Sequence, residues 1–277
     1  MLRIAVIGAG RIGKIHAANV AGHRRARLSA VADPIEGAAR ALAQAHQCEW
    51  TTQADDLIAG QDVDAIVICT PTNTHVDLIE RAAAADKAIL CEKPIDLDIA
   101  KVERCLASLA RTPVPLFVGF NRRFDPSAAA LKRAIDDGQI GALRQVLITS
   151  RDPAPPPLAS IPSTGGLFRD MTIHDFDMGR WLLGEEPVEV WATASCLVDP
   201  QIAVLGDVDT AMVVMRSAGG RQCHINNCRQ AGVRLRPAIG GLRLGGHGGK
   251  RQPSPDHAAP FRRSVHRSPR PAAAVLP

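Results

Sequence analysis

The chain contains no tyrosine, and its three Trp and six Phe make aromatics only 3% of 277 residues. No apolar run approaches the roughly 20 residues that a bilayer-spanning helix needs, which excludes such a helix. The N-terminus passes straight into the apolar stretch Leu2 to Ile7, with no basic region, apolar core and cleavage site ahead of it. That pattern predicts no secretory leader and a cytoplasmic product. The seven cysteines, Cys48, Cys69, Cys91, Cys105, Cys196, Cys223 and Cys228, include no C-x-x-C pair. An odd, scattered set predicts reduced thiols rather than a disulfide framework.

Acid is scarce at one end only. Residues 229–277 hold nine Arg and one Lys against the single acid Asp256, a balance of +9, so the first 228 residues carry −4 of the chain's +5. A mildly acidic body is joined to a strongly basic tail, and the two need separate explanations.

At 277 residues the chain can bury a sizeable core and divide into two domains. Its first thirty-three residues read as strand, glycine turn and helix. The apolar run Leu2 to Ile7 ends in Gly8-Ala9-Gly10-Arg11-Ile12-Gly13, and a helical pattern covers Ile12 to Ala21. A second apolar run, Leu28 to Ala32, closes on Asp33, where a dinucleotide-binding unit places its ribose-binding carboxylate. Gly8 serves the tight turn, Gly10 the approach of backbone N–H groups to a pyrophosphate, and Gly13 close packing of helix on strand. A carboxylate accepts from a ribose 2′-OH and repels a 2′-phosphate; Pro34 follows Asp33 with no arginine beside it, so NAD is expected over NADP.

Further along, helical patterns over 35–46, 74–85 and 97–109 alternate with strand-like runs at 64–70, 88–91 and 116–120, which predicts an α/β doubly wound parallel sheet. After Asn121 the pattern changes. A helix over 126–137 precedes strand-like runs at 144–150, 188–198, 209–216 and 221–226, with a helix over 170–183 among them, so the second domain is expected to be α+β. The proline-rich stretch Asp152 to Ser163 is expected to be an irregular loop.

Ligands of open α/β sheets bind beyond the carboxyl ends of the strands, which singles out Thr70-Pro71, Glu92-Lys93-Pro94 and Asn121-Arg122-Arg123. A lysine at position 93 can stabilise developing alkoxide charge, and it can equally be a surface lysine. Asp170 and His174 are four apart, one helical turn, and an imidazole beside a carboxylate suits a general base for a hydroxyl proton. The same pair also fits a helix cap with a solvated histidine. No third ligand at a typical spacing accompanies them, so no metal is expected.

Four segments carry a family resemblance: Gly8 to Gly13, Glu92-Lys93-Pro94, Gly119-Phe120-Asn121-Arg122-Arg123-Phe124-Asp125, and Gly165 to Asp177 with Asp170-Met171-Thr172-Ile173-His174 inside it. Together they resemble the glucose-fructose oxidoreductase/inositol dehydrogenase/rhizopine catabolism (Gfo/Idh/MocA) family, and within it the inositol 2-dehydrogenase branch. The resemblance covers residues 1 to about 231. It implies an NAD-binding Rossmann domain over 1–120 and a partial α+β substrate and oligomerisation domain over 121–230. It implies a cofactor site built by Gly8, Gly10, Arg11, Ile12, Gly13 and Asp33 on one side and Thr70, Pro71, Asn73, His75, Glu92 and Lys93 on the other. The catalytic set it implies is Lys93, Asp170 and His174, with His174 taking the hydroxyl proton, Asp170 supporting it and Lys93 holding the same oxygen. His174, Arg122 and Asp152 are the implied contacts to a polyol, myo-inositol in the leading case. A homo-oligomer is implied through the open sheet, and no membrane partner.

The pattern breaks near Gln230. Residues 229–277 hold seven Gly and seven Pro, and the tyrosines that the inositol branch carries after Asn226-Asn227 are missing. Regrouping the codons one base later lets Val233 to Pro237 encode Tyr-Gly-Tyr-Asp-Gln, and Ala238 to Gly249 encode Arg-Leu-Glu-Ala-Phe-Gly-Ser-Ala-Gly-Met-Val-Ala. The segment 231–277 is therefore expected to be an out-of-frame, disordered tail that truncates the second domain. As an arm for nucleic acid it lacks interleaved aromatics, with Phe261 alone, so no specific nucleic-acid partner is expected.

Overall fold

A computed structural model of the chain describes residues 1–231 and the pair Arg243–Leu244. Its first sheet has six strands: β1 (Leu2–Ile7), β2 (Ala26–Ala32), β3 (Glu49–Thr51), β4 (Ala65–Ile68), β5 (Ala88–Cys91) and β6 (Leu116–Val118). They lie in the order β3-β2-β1-β4-β5-β6, all parallel. Successive side chains of a strand enter opposite layers. Val6, Val31 and Val67 pack with Ala17 of helix α1 (Arg11–Ala21) and Leu42 of α2 (Glu36–His46). Ile7, Ile66, Ile68 and Ile89 pack with Leu57 of α3 (Ala54–Ala59), Leu78 and Ile79 of α4 (His75–Ala84) and Cys105 of α5 (Ile99–Leu109). Burial on both faces explains why β4 reads as a continuous apolar run. The order reverses between β1 and β4, and the crevice opens there.

The second sheet runs β11-β7-β10-β9-β8, from β7 (Gln145–Arg151), β8 (Pro187–Ser195), β9 (Thr210–Ser217), β10 (Gln222–Cys228) and β11 (Arg243–Leu244). Only β7 and β10 are parallel neighbours among them. One face buries Val146, Ile148, Val213, Met215 and Ile225 against Met178, Leu182 and Leu183 of α8 (Ile173–Leu183), with α6 (Pro126–Asp136) beside it. On the opposite face Trp191 stands across from Val214, and both are exposed.

Several sequence expectations need correction. The helix expected over 170–183 is preceded by a π-helical turn, Phe168–Thr172, so α-helical spacing begins only at Ile173. The stretch Asp152 to Ser163 is not wholly irregular. It holds a 3₁₀ turn, Leu158–Ser160, and runs into the single-turn helix α7 (Ile161–Thr164), where Pro162 occupies a first-turn position that needs no N–H. Strand β3, helix α3 and helix α9 (Pro200–Val204) escape the sequence reading because each is too short to show a period. The expectation of an out-of-frame, disordered 231–277 falls on residues outside the described set, apart from Ala231 and β11.

Candidate active site

The glycine turn is fixed by contacts that only glycine permits. Gly8 has φ +103°, and a Cβ there would stand 2.6 Å from the Cys69 carbonyl oxygen. At Gly13 a Cβ would lie 1.8 Å from the Gly8 carbonyl oxygen, so α1 can cross β1 this closely only without one. Gly10 differs: nothing among the described residues lies within 4 Å of a Cβ built there. Its backbone faces open space at the start of α1, a helix whose N-terminus has no side-chain cap, and the free first-turn N–H groups suit a pyrophosphate. Asp33, just past β2, accepts from Ala9 N at 2.7 Å and from Ile35 N at 2.9 Å, so the expected ribose carboxylate is tied to the glycine turn itself. These features fit a dinucleotide.

Beyond the turn lies a cleft of about 1060 Å³, and it gathers most of the residues anticipated from sequence. Arg11, Ile12, Thr70, Pro71, Asn73, Glu92 and Lys93 line it from the first sheet's side, and Arg122, Asp152, Asp170 and His174 from the other. Gly8, Gly10, Gly13 and Asp33 border the turn instead. His75 touches the cleft but is 1% exposed, with one ring nitrogen 2.8 Å from the Pro94 carbonyl oxygen and the other 2.8 Å from that of Thr70. It braces two walls. Glu92 meets His16 Nε2 at 2.7 Å, and a Cβ on Gly119 would press within 3.0 Å of its carboxyl group. Burial alone would raise the Glu92 carboxyl, but the bond from His16 and the charge of Lys93 hold it below its ordinary value. The Lys93–Pro94 peptide is cis.

Lys93 Nζ donates to the Asp170 carbonyl oxygen at 2.8 Å and to its carboxylate at 3.0 Å. Against the burial that would raise it, Lys93 and then Arg229 keep the Asp170 carboxyl below its ordinary value. His174 is pushed down to about 4, first by burial and then by the charges of Lys93 and Arg122, so its ring is neutral at physiological pH. It stands edge-on to Phe120, with centroids 6.2 Å apart, and its Nδ1 is buried with no hydrogen-bond partner among the described residues. Among the described residues no hydrogen bond joins Asp170 to His174; Asp170 acts on the ring only through its charge, which pushes it up. The π turn displaces residue 170 from α-helical register, and an ammonium outcompetes a neutral imidazole for the carboxylate.

The structure also supplies residues that sequence reading missed. Asp175 is fully buried and accepts from Arg122, from Ser150 Oγ at 2.7 Å and from Asn227 Nδ2 at 2.7 Å. Thr172 in turn donates to Asn227 Oδ1 at 2.7 Å. Arg122 thus presents its guanidinium to the cleft from a fixed base. The signal available was the run of acids at Asp170, Asp175 and Asp177, of which only the first had a role by spacing. Asp152 lies beside this group, and burial raises its carboxyl, with Arg229 opposing. Arg229 is 1% exposed and reaches Asp170 from behind. Among the described residues no three His, Cys, Asp or Glu are grouped to hold a metal.

A neutral imidazole, an ammonium and an anionic carboxylate at the mouth of a dinucleotide fold can remove a hydroxyl proton and stabilise the oxygen left behind. Residues 2–120 match the model of the oxidoreductase family with an NAD-binding Rossmann fold, and residues 128–241 match the GFO/IDH/MocA C-terminal domain. The chain belongs to the Gfo/Idh/MocA oxidoreductases. Inositol 2-dehydrogenase of Rhizobium meliloti (strain 1021) is 56% identical over 230 residues, 83% of this chain and 69% of that one. The crystal structure of a myo-inositol dehydrogenase from Corynebacterium glutamicum superposes with a TM-score of 0.80 at 45% identity, covering 83% of this chain and 69% of that one. A scyllo-inositol dehydrogenase from Lactobacillus casei, solved with bound NAD(H) and scyllo-inositol, superposes with a TM-score of 0.75 at 32% identity, covering 83% and 70%. NAD is the cofactor of this family fold, and no helix among the described residues is long and apolar enough to cross a membrane.

Proposed function

We propose that the chain oxidises a secondary alcohol of a cyclic polyol, with myo-inositol giving its 2-keto product as the leading case. The observation that carries this reading is the convergence of Lys93, Asp170 and His174 on one cleft beside the glycine turn. Bound NAD supplies a hydride acceptor at nicotinamide C4. The protein's own groups do the rest. Neutral His174 takes the substrate hydroxyl proton on a ring nitrogen, and burial keeps that nitrogen free until then. Lys93 Nζ donates to the same oxygen and stabilises the negative charge as it develops. Asp170 holds Lys93 in place and does not orient the imidazole. Arg122, fixed by Asp175, and Asp152 offer a donor and an acceptor to the remaining ring hydroxyls.

The polyol is placed between an NAD-binding part, 1–120, and a substrate part, 121–230, a division supported by the two separate sheets. A homo-oligomer through the exposed face of the second sheet, where Trp191, Met212 and Val214 are apolar and open, extends this reading. The seven free thiols support a reducing, cytoplasmic setting.

NADH formation at 340 nm with myo-inositol, scyllo-inositol and glucose tests the function. Turnover of myo-inositol in preference to the others is expected. Turnover of glucose alone would move the substrate to a sugar, and NAD binding without turnover of any polyol would leave a nucleotide-binding remnant.

A further inference from the structure

Arg229 follows β10 and is buried to 1% exposure, although neither the glycine fingerprint nor the cleft lining includes it. Its Nη1 lies 3.4 Å from Asp170 Oδ2, and its Nη2 lies 3.6 Å from Asp207 Oδ2. The first is a long hydrogen bond and the second an ion pair beyond hydrogen-bond length. Its Nε and Nη2, and Asp207 Oδ2, have no hydrogen-bond partner among the described residues. One buried cation therefore stretches between two carboxylates.

The two carboxylates hold the two ends of one short segment. Asp207 Oδ1 accepts from Leu167 N at 2.9 Å, and a Cβ on Gly166, at φ +78°, would fall 2.4 Å from that same oxygen. Asp207 thus anchors the entry to the π turn, and Asp170 sits within the turn itself. A five-residue π turn has weak internal geometry and needs outside contacts to hold one conformation. Lys93, just past β5, supplies one such contact, Thr172 Oγ1 bonded to Asn227 Oδ1 supplies a second, and Arg229, just past β10, supplies a third. Along this line of contacts the charges alternate, Lys93, Asp170, Arg229, Asp207.

We propose that Arg229 is a positioning residue: by bridging Asp170 and Asp207 it fixes the π turn so that the Asp170 carboxylate stays on the Lys93 ammonium. The proposal rests on the functional reading of Lys93 and Asp170 given above, and it assigns Arg229 no contact with substrate. Burial opposes the Asp170 anion, Lys93 and then Arg229 favour it, and the neighbouring Asp152 carboxyl, itself pushed up by burial and then by Asp170, opposes it; His174 is neutral at physiological pH.

The test labels aspartate carboxyl carbons with ¹³C and follows their titration by NMR, with the Asp170 signal assigned from its loss in Asp170→Asn. In Arg229→Gln the Asp170 midpoint is expected to rise by at least about one pH unit, as loss of a cation at this distance requires. Arg229→Lys is expected to restore at least half of that shift. An unchanged midpoint in Arg229→Gln overturns the proposal. Should Arg229→Gln not fold, a crystal structure of Asp207→Asn takes its place: with the bridge cut at one end the Asp170 carboxylate is expected to move off Lys93 Nζ, and a Lys93–Asp170 contact unchanged at 3.0 Å overturns the idea. In steady state Arg229→Gln is expected to lower kcat for the polyol at least tenfold with NAD affinity held within about twofold, the split that a positioning role demands. Absence of polyol turnover in the unaltered chain defeats the proposed function, whereas the carboxyl titration still decides the role of Arg229.

Discussion

Lys93 Nζ gives two of its three N–H donors to a single residue, bonding both the backbone carbonyl and the carboxylate of Asp170. The two residues are 77 positions apart, one just past β5 of the first sheet and the other in the π turn that leads into α8, so this contact ties together distant parts of the chain. In the proposed reaction the third donor is left for the substrate oxygen.

Replacing Lys93 by Met removes that donor and leaves the Asp170 carboxylate without its nearest cation. The loss in kcat is expected to reach roughly 10²–10³, the range for removing one oxyanion donor. NAD affinity, measured by calorimetry, should change little, because the glycine turn and Asp33 are untouched. Lys93→Arg should recover little activity, since a planar guanidinium cannot reproduce a point donor already committed to two acceptors. Recovery of wild-type kcat in Lys93→Arg would contradict this geometry.

His174 predicts a dependence of stability on pH with a definite sign. Its folded value is about 4, against 6.5 for the free side chain, so between these values the unfolded chain binds a proton that the folded chain refuses. The stability it confers is complete above pH 6.5 and is lost as pH falls toward 4, by about 3 kcal/mol in all. His174→Gln should remove that part of the acid slope, which urea unfolding at pH 7.5 and pH 5 would measure, and should lower kcat by roughly 10²–10⁴. Identical acid slopes in the two proteins would show that the ring is not held neutral by burial.

The glycines separate fold from function. Gly13→Ala places a methyl group 1.8 Å from a backbone oxygen, and neither partner can yield. A stability loss of more than about 3 kcal/mol is expected, read as a fall in melting temperature. Gly10→Ala meets no described protein atom within 4 Å, so its melting temperature should stay close to that of the unaltered chain while NAD affinity falls at least about tenfold. Parallel losses of stability in both variants would refute the distinct role of Gly10.

How much of this was legible beforehand follows from where the information lies. The parallel sheet was readable because strands buried on both faces, such as Ala65–Ile68, leave continuous apolar runs. The cofactor turn was readable because glycine is demanded by contacts within a few residues, Gly8 with Gly13. The bond between Lys93 and Asp170 was not legible, because i, i+4 spacing assumes an α-helix and the π turn over Phe168–Thr172 has no sequence signature. Arg229 and Asp207 were invisible for another reason. Their meaning depends on β10 and the segment after α9 being brought to the same π turn, a tertiary fact that no local pattern encodes. His75 carries the same lesson. It stands beside the cleft in sequence, yet both ring nitrogens serve the backbone.

Asp33 is expected to set the choice of nicotinamide cofactor. Its carboxylate is already anchored by Ala9 N and Ile35 N, so it is positioned to accept from a ribose hydroxyl and to repel a 2′-phosphate. Asp33→Ser should lower kcat/KM with NAD and raise it with NADP, changing the ratio at least about tenfold, or roughly 1.4 kcal/mol. An unaltered ratio would transfer the selectivity to another residue.

Two apolar faces bear on the reading-frame question. On the second sheet, Trp191 is 62% exposed and Met212 45%. On the first sheet, a groove beside α1 over β5 and β6 is lined by Leu90 and Phe117, the latter 44% exposed, while α4 and α5 pack on the opposite face. Parallel strands are stable when both faces are covered. A gene corrected by one base near codons 228–232, so that Tyr-Gly-Tyr-Asp-Gln follows in place of Val233 to Pro237, is therefore expected to yield a more stable and monodisperse oligomer than the present frame. Light scattering on the two purified proteins would show it, with fluorescence of Trp191 shifted to shorter wavelength as its face is covered. Equal mass, equal melting temperature and equal tryptophan emission in the two frames would mean that the continuation covers neither face.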